Sequence, residues 1–131
     1  MDSADSDRIY LTVPATATAV RIIRVGASAL ATRAGFTYRE ADELRLAVGE
    51  AAAILALSAQ DRGEIVATYR VRPEGLDADL LLSDEDSRVT ALPDVSAAVL
   101  DASVDRWQMV DGGRGFALHK ERSDLDDTEP D

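Results

Sequence analysis

The chain has 131 residues, 46% hydrophobic content and a formal net charge of -11, enough for one domain built around one core. It has no Cys and one His, which excludes a disulfide framework, a thiolate metal site and a His-cluster metal site. No segment approaches the roughly 18 uninterrupted apolar residues of a membrane span, and "MDSADSD" lacks the basic-then-apolar layout of a signal peptide, so the expected location is cytoplasmic.

The charge is uneven. Residues 1–7 hold three acids, and residues 121–131 hold six acids beside Arg122. Between them, sixteen acids face thirteen bases. The expected organisation is a disordered acidic tail over residues 1–7, a single domain over 8–120, and a second disordered acidic tail over 121–131. Such a surface disfavours direct nucleic-acid binding, because phosphate contacts need a basic patch. A basic protein partner would suit the tails, and solubility explains them equally well.

In "RIYLTVP", Ile9, Leu11 and Val13 share one face, which predicts a half-buried strand closed by Pro14. The following segment places Val20, Ile23, Ala27 and Leu30 at helical spacing, with Gly35 as the stop. Thr37 to Glu40, "TYRE", is a capping box that opens a second helix running to about Gln60, where "DRG" ends it. Ile65, Ala67, Tyr69 and Val71 alternate, then Leu76, Ala78, Leu80 and Leu82 do the same. That predicts a hairpin turning at Pro73 to Gly75. A short helix is expected from Asp94 to about Ser103, then a second hairpin turning at Asp111 to Gly113. The order β-α-α-β-β-α-β-β gives an α/β (α+β) two-layer sandwich, with a mainly antiparallel sheet and helices on one face.

The second helix raises a question. "ELRLAVGEAAAILAL" carries one acid, Glu50, amid Leu46, Ala47, Ala53 and Ile54 at helical contact spacing. A buried carboxylate is costly unless paired, protonated or facing water, so Glu50 lies either on the solvent face or at a site. Arg21 and Arg24 of the first helix are candidate partners. Gly49 beside it costs roughly 1 kcal/mol of helix propensity relative to Ala, which suggests close approach of another backbone or a ligand.

The opening strand, the Arg-bearing first helix, "ADELRLAVGEAAA" and the terminal hairpin resemble the anti-sigma factor and serine-protein kinase branch of the GHKL (Bergerat-fold) ATPases. That branch shows a "dLrLAVdEa" helix, and the resemblance covers roughly residues 8–120. It implies a Bergerat-like fold and a Glu at position 50 facing a nucleotide pocket as general base. It also implies a sigma factor or an anti-anti-sigma (STAS) protein as partner, and a homodimer.

The nucleotide boxes depart from the family pattern. Its helix continues E-x-x-x-N, where the Asn binds Mg²⁺. Here that position is Ile54, which has no oxygen to offer. The family's adenine-binding D-x-G-x-G has only Asp84 or Asp86 as counterparts, in "SDEDSRVTAL", with no glycine after either. "LPDVSAAVLDAS" follows almost at once, so the ATP lid is shortened or absent. Phosphoryl transfer depends on positioning and charge neutralisation, and the parts for both are missing.

The expected function is therefore an anti-sigma-like regulatory binding protein with no cofactor. A working ATP- and Mg²⁺-dependent serine kinase is the alternative, with Glu50 as base and Asp84 or Asp86 reading adenine. A plain structural or dimerisation module is the third reading. "DGGRG" lacks the following helix that phosphate cradling needs and is expected to be a hairpin turn. "SDEDS" lacks the spaced oxygens and Gly turn of a Ca²⁺ site. His119 receives no role. Trp107 is read as packing or, alternatively, as an interface anchor.

Overall fold

The computed structural model describes residues 8–123. Strand β1 (Arg8–Pro14) is followed by helix α1 (Ala17–Arg33), helix α2 (Tyr38–Ala59) and the hairpin β2 (Glu64–Arg72) and β3 (Gly75–Leu82). Helix α3 (Asp94–Ser103) precedes a second hairpin, β4 (Arg106–Val110) and β5 (Gly115–Glu121). The five strands form one antiparallel sheet in the order β1-β2-β3-β5-β4. The expected two-layer α+β architecture is what forms.

Helices α1 and α2 start where side chains can satisfy orphan N–H groups, whereas α3 starts after Pro93 with no side-chain cap. Thr16 Oγ1 accepts from the Ala19 N–H at 3.3 Å. At α2 the capping box is complete: Thr37 Oγ1 accepts from Glu40 N–H at 3.1 Å, and Glu40 Oε1 accepts from Thr37 N–H at 3.0 Å. Thr37→Ala is expected to cost about 1 kcal/mol, read as a lower urea midpoint with an unchanged slope. α1 ends just before Gly35, whose φ of 93° L side chains rarely adopt. α2 ends on Gln60 in the left-handed region.

Alternation puts Ile65, Ala67 and Tyr69 of β2, Leu76, Ala78, Leu80 and Leu82 of β3, and Phe116 and Leu118 of β5 on one buried face. That face packs against Ile23, Ala27 and Ala31 of α1 and Leu44, Val48 and Leu55 of α2. Many contact positions on the helices are Ala, which lets α1 and α2 lie close to each other and to the sheet. The Tyr69 hydroxyl donates to the Ile23 carbonyl at 3.2 Å, satisfying a buried phenol whose pKa burial raises.

Two boundaries differ from expectation. The first hairpin turns at Pro73–Glu74, because Gly75 already pairs with Glu121. The body also continues past residue 120. Glu121 closes β5, Arg122 N–H donates to the Glu74 carbonyl at 2.8 Å, and Ser123 N–H donates to Glu40 Oε2 at 2.8 Å. The residues expected to open the acidic tail thus brace the α2 capping box. The expectations for residues 1–7 and 124–131 lie outside the described residues. Among the described residues, no helix is long and apolar enough to cross a membrane.

Candidate functional site

Glu50 lies half-buried on α2, at the seam where α3 packs. Leu46 and Ala53 on its flanks are exposed, so this stripe is wetter than its apolar composition suggests. Its partner is neither Arg21 nor Arg24. Ser96 Oγ of α3 donates to Glu50 Oε2 at 2.6 Å, and Ser96 is itself buried. A charge-assisted bond of that length satisfies the acid without a cation.

Gly49 is explained by Arg24. A Cβ at residue 49 would sit 2.8 Å from Arg24 Cγ and 2.9 Å from Cδ. The arginine stem crosses the helix at that point, so the close approach is a side chain rather than a backbone or a ligand.

Ile54, one turn beyond Glu50, is partly buried and packs against the core. Asp84 and Asp86 lie elsewhere, in the connection that leaves β3 beside the end of α2. Asp84 is held locally: Arg62 Nε donates to it at 3.0 Å, Ser87 Oγ at 2.7 Å and Asp86 N–H at 3.2 Å. The Ser87 hydroxyl, then the Asp86 amide, hold the Asp84 carboxyl below its ordinary range. Asp86 is exposed and contributes its backbone N–H to this turn. Residues 83–93 carry the chain directly from β3 to α3. Glu50 and Ile54 thus share a helix, and Asp84 and Asp86 belong to a separate turn. Among the described residues, no group of three or more His, Cys, Asp or Glu side chains is placed to hold a metal ion.

The second glycine-bearing motif is a hairpin turn. Gly113 has φ of 101°, and its carbonyl accepts from Val89 N–H at 2.8 Å. Trp107 is partly packed against Phe116, ring centroids 6.3 Å apart, and its indole N–H donates to Asp101 at 2.7 Å.

Sequence reasoning missed three polar linkages. Lys120, buried on the inner face of β5, donates to Glu43 Oε1 of α2 and to the Ser103 carbonyl of α3, each at 2.9 Å. With Ser96–Glu50, it ties both ends of α3 down. On the opposite sheet face, Asp77 accepts from Arg72 Nε at 3.0 Å and lies 2.8 Å from His119 Nδ1. Near α2's start, Glu40 takes Ser123 as well as its cap. The signal available beforehand was Asp77 and Asp79 alternating with the apolar β3 residues, which marks an outward charged face.

Two of these carboxyls contribute stability that is lost in acid. Burial pushes the Asp77 pKa up, but the hydrogen bonds from His119 and Arg72 outweigh it and leave it lowered. Burial likewise opposes the bonds from Ser123 and Thr37 at Glu40, again with a lowered result. A depressed folded pKa contributes stability above the unfolded value, lost as pH falls through the folded value. Asp79 has the opposite sign, since burial raises it. Tm should therefore fall once pH drops below about 4, the unfolded Asp and Glu range. In thermal melts from neutral to acid pH, Asp77→Asn should flatten that fall.

No family model matches the chain. Among characterised proteins it is similar to the serine-protein kinase RsbW of Listeria monocytogenes, serotype 4a strain HCC23 and serotype 4b strains CLIP80459 and F2365. Each is 35% identical over 74 residues, covering 54% of this chain and 47% of the relative. The chain spans about half the length of the curated relatives it matches. That similarity agrees with the family resemblance carried by the "LRLAVGEA" helix.

Proposed function

We propose that this chain is an anti-sigma-type regulatory binding protein that works in the cytoplasm by protein–protein contact, without ATP chemistry. Its partner would be a sigma factor, an anti-anti-sigma (STAS) protein, or both in alternation. The similarity to RsbW supports the partner class. The observation that carries the loss of chemistry is the Ser96–Glu50 bond. The acid that the family resemblance makes a general base is occupied by the protein's own serine, under α3.

The donor set does not fit Mg²⁺. That ion takes oxygen ligands in near-octahedral geometry. Ile54 supplies an aliphatic side chain that packs into the core, and Asp84 is committed to Arg62 and Ser87 in another turn. The similarity to serine-protein kinases supports the alternative, an ATP-dependent serine-protein kinase acting on an anti-anti-sigma (STAS) partner.

Thermal unfolding with and without Mg-ATP separates the two. A ligand at about a hundredfold excess over Kd adds about 2.7 kcal/mol, a shift of several degrees in a domain of this size. No shift at millimolar nucleotide is expected, together with co-purification of a sigma factor. A shift abolished by Asp84→Asn or Asp86→Asn would establish an intact pocket and the kinase reading. Recovery of no regulator would leave the structural-module reading standing.

A further inference from the structure

Strand β4 is an outer strand of the sheet, and the hydrogen bonds show which of its backbone groups are left over. The Leu82 N–H at the end of β3 donates to the Arg114 carbonyl, just before β5, at 2.9 Å, and the Arg122 N–H donates to Glu74 at the other end of the pair at 2.8 Å. Even-numbered residues of β5 therefore turn their backbone groups to β3, and odd-numbered ones turn theirs to β4. In the β4–β5 register, Arg106, Gln108 and Val110 stand opposite His119, Ala117 and Gly115. Those three pair inward, so Trp107 and Met109 direct their N–H and C=O groups away from the sheet. Among the described residues no strand lies beyond β4. The other edge strand, β1, is closed by Pro14, whereas β4 carries no proline. An unpaired edge of this kind is a template for another chain.

A hollow of about 400 Å³ straddles the β4 edge. Trp107 borders it on the helix side of the sheet, Arg106, Gln108 and His119 border it on the other side, and Asp101 and Asp105 close it beside the end of α3. Asp101 Oδ1 accepts the Trp107 indole N–H, and Asp105 Oδ2 accepts the Glu121 N–H, each at 2.7 Å. Each acid keeps its second oxygen, and among the described residues neither is ion-paired. Facing them is one arginine, Arg106, while His119 is engaged by Asp77. The hollow is therefore acidic, with an indole beside its carboxylates.

We propose that the free edge of β4 takes up an extended, basic segment of a partner protein as an added strand, with one Arg or Lys side chain seated between Asp101, Asp105 and Trp107. Backbone bonds to Trp107 and Met109 hold the segment, and the hollow selects it. Charge decides the occupant. Carboxylates without a cation favour a charge-assisted bond, and a neighbouring indole attracts the same group. A chain of net charge -11 draws basic segments towards it. The chain's own terminal stretches, 1–7 and 124–131, are acidic and match this hollow poorly. The five residues of β4 span about 17 Å, so a segment of similar length suffices. The inference stands on the sheet edge alone and holds whichever reading of the Glu50 site is right.

Fluorescence anisotropy of the full chain with a labelled peptide of alternating Arg and Thr tests it. One comparison peptide replaces Arg by Gln, and another keeps Arg but is N-methylated along its backbone. Saturable binding of the Arg/Thr peptide that weakens with salt is expected, with roughly tenfold or greater loss for either comparison. Trp107 is the chain's single tryptophan, so its emission should shift as the site fills. Met109→Pro should weaken binding by a similar factor. Its N–H points away from β5, so Tm should hold, whereas Gln108→Pro, which removes a bond to β5, should lower Tm. Asp101→Asn/Asp105→Asn keeps both acceptor oxygens and should weaken binding with the fold intact. Absence of Arg/Thr-peptide binding, equal binding of the N-methylated peptide, unchanged Trp107 emission at saturation, or full affinity in Met109→Pro or in the Asn variant would overturn the proposal. Met109→Pro lowering Tm as much as Gln108→Pro would also do so. So would a dimer in sedimentation that Met109→Pro dissociates, because a second copy would then own the edge.

Discussion

Leu55→Ala is expected to lose about 2–5 kcal/mol of stability, a large part of the ~5–15 kcal/mol that holds a domain together. Leu55 is fully buried on α2, among the residues that close the helix layer over the sheet. Truncation removes the transfer free energy of its methyls and leaves a cavity that the surrounding Ala-rich contacts have little side-chain volume to fill. The helix backbones already set the spacing there. In a domain of this size each kcal/mol moves Tm by a few degrees, so a drop on the order of 10 °C follows. The control is two residues along. Leu57 is 80% exposed, and Leu57→Ala should change stability by no more than about 0.5 kcal/mol. Urea melts of both variants check this. Equal losses would mean that the face of α2 turned to the core is not the one described.

Gly113→Ala is expected to cost about 3 kcal/mol, more than its neighbour Gly112→Ala. Two causes add at Gly113. Its φ of 101° lies where L side chains are strained, and a Cβ would meet the Val89 carbonyl oxygen at 2.6 Å. That contact is backbone against backbone, so no side chain can swing away. The strand hairpin and the segment after β3 would have to separate, breaking the Val89 N–H to Gly113 bond. At Gly112, with φ of 65°, the nearest neighbour is the mobile end of Arg88 at 3.6 Å. An alanine there meets only the left-handed backbone, a cost of about 1 kcal/mol. Melting curves of the two variants side by side give the comparison. Gly112→Ala losing as much as Gly113→Ala would remove the role assigned to the Val89 contact.

The pH and capping expectations concern smaller terms but bear on the same architecture. Glu40 serves the α2 cap through Thr37 and the chain's C-terminal side through Ser123. Loss of its charge in acid therefore loosens the start of α2 and the exit from β5 together. Lys120 does the corresponding work at the other end of the layer, holding α3 against α2. The cap was legible at Glu40, but its link to Ser123 and the partners of Lys120 were not, because they come from residues far along the chain.

The sequence by itself determined the elements and their order. Period-two alternation in "EIVATYRV" and "LDADLLL", helical spacing from Val20 to Leu30, and the Thr37–Glu40 box are local signals, complete within a few residues. That Ile54 offers no oxygen to a cation was legible for the same reason, since one residue's chemistry decides it. Glu50 was legible as an anomaly but not as an answer. Its partner, Ser96, is 46 positions away, on a helix whose docking angle no local pattern encodes. Gly49 gave the same half-signal: the need for space was visible, and its cause, the Arg24 stem, was not. On the sheet face away from the helices, the row Arg8, Arg70, Asp77, His119 and Arg106 draws one residue from each of five strands. It exists only through four interstrand registers, and a slip of one residue would turn its members to the other face. Tertiary structure alone decided which charges meet, because burial, register and helix packing are properties of the assembled layers and not of any segment within them.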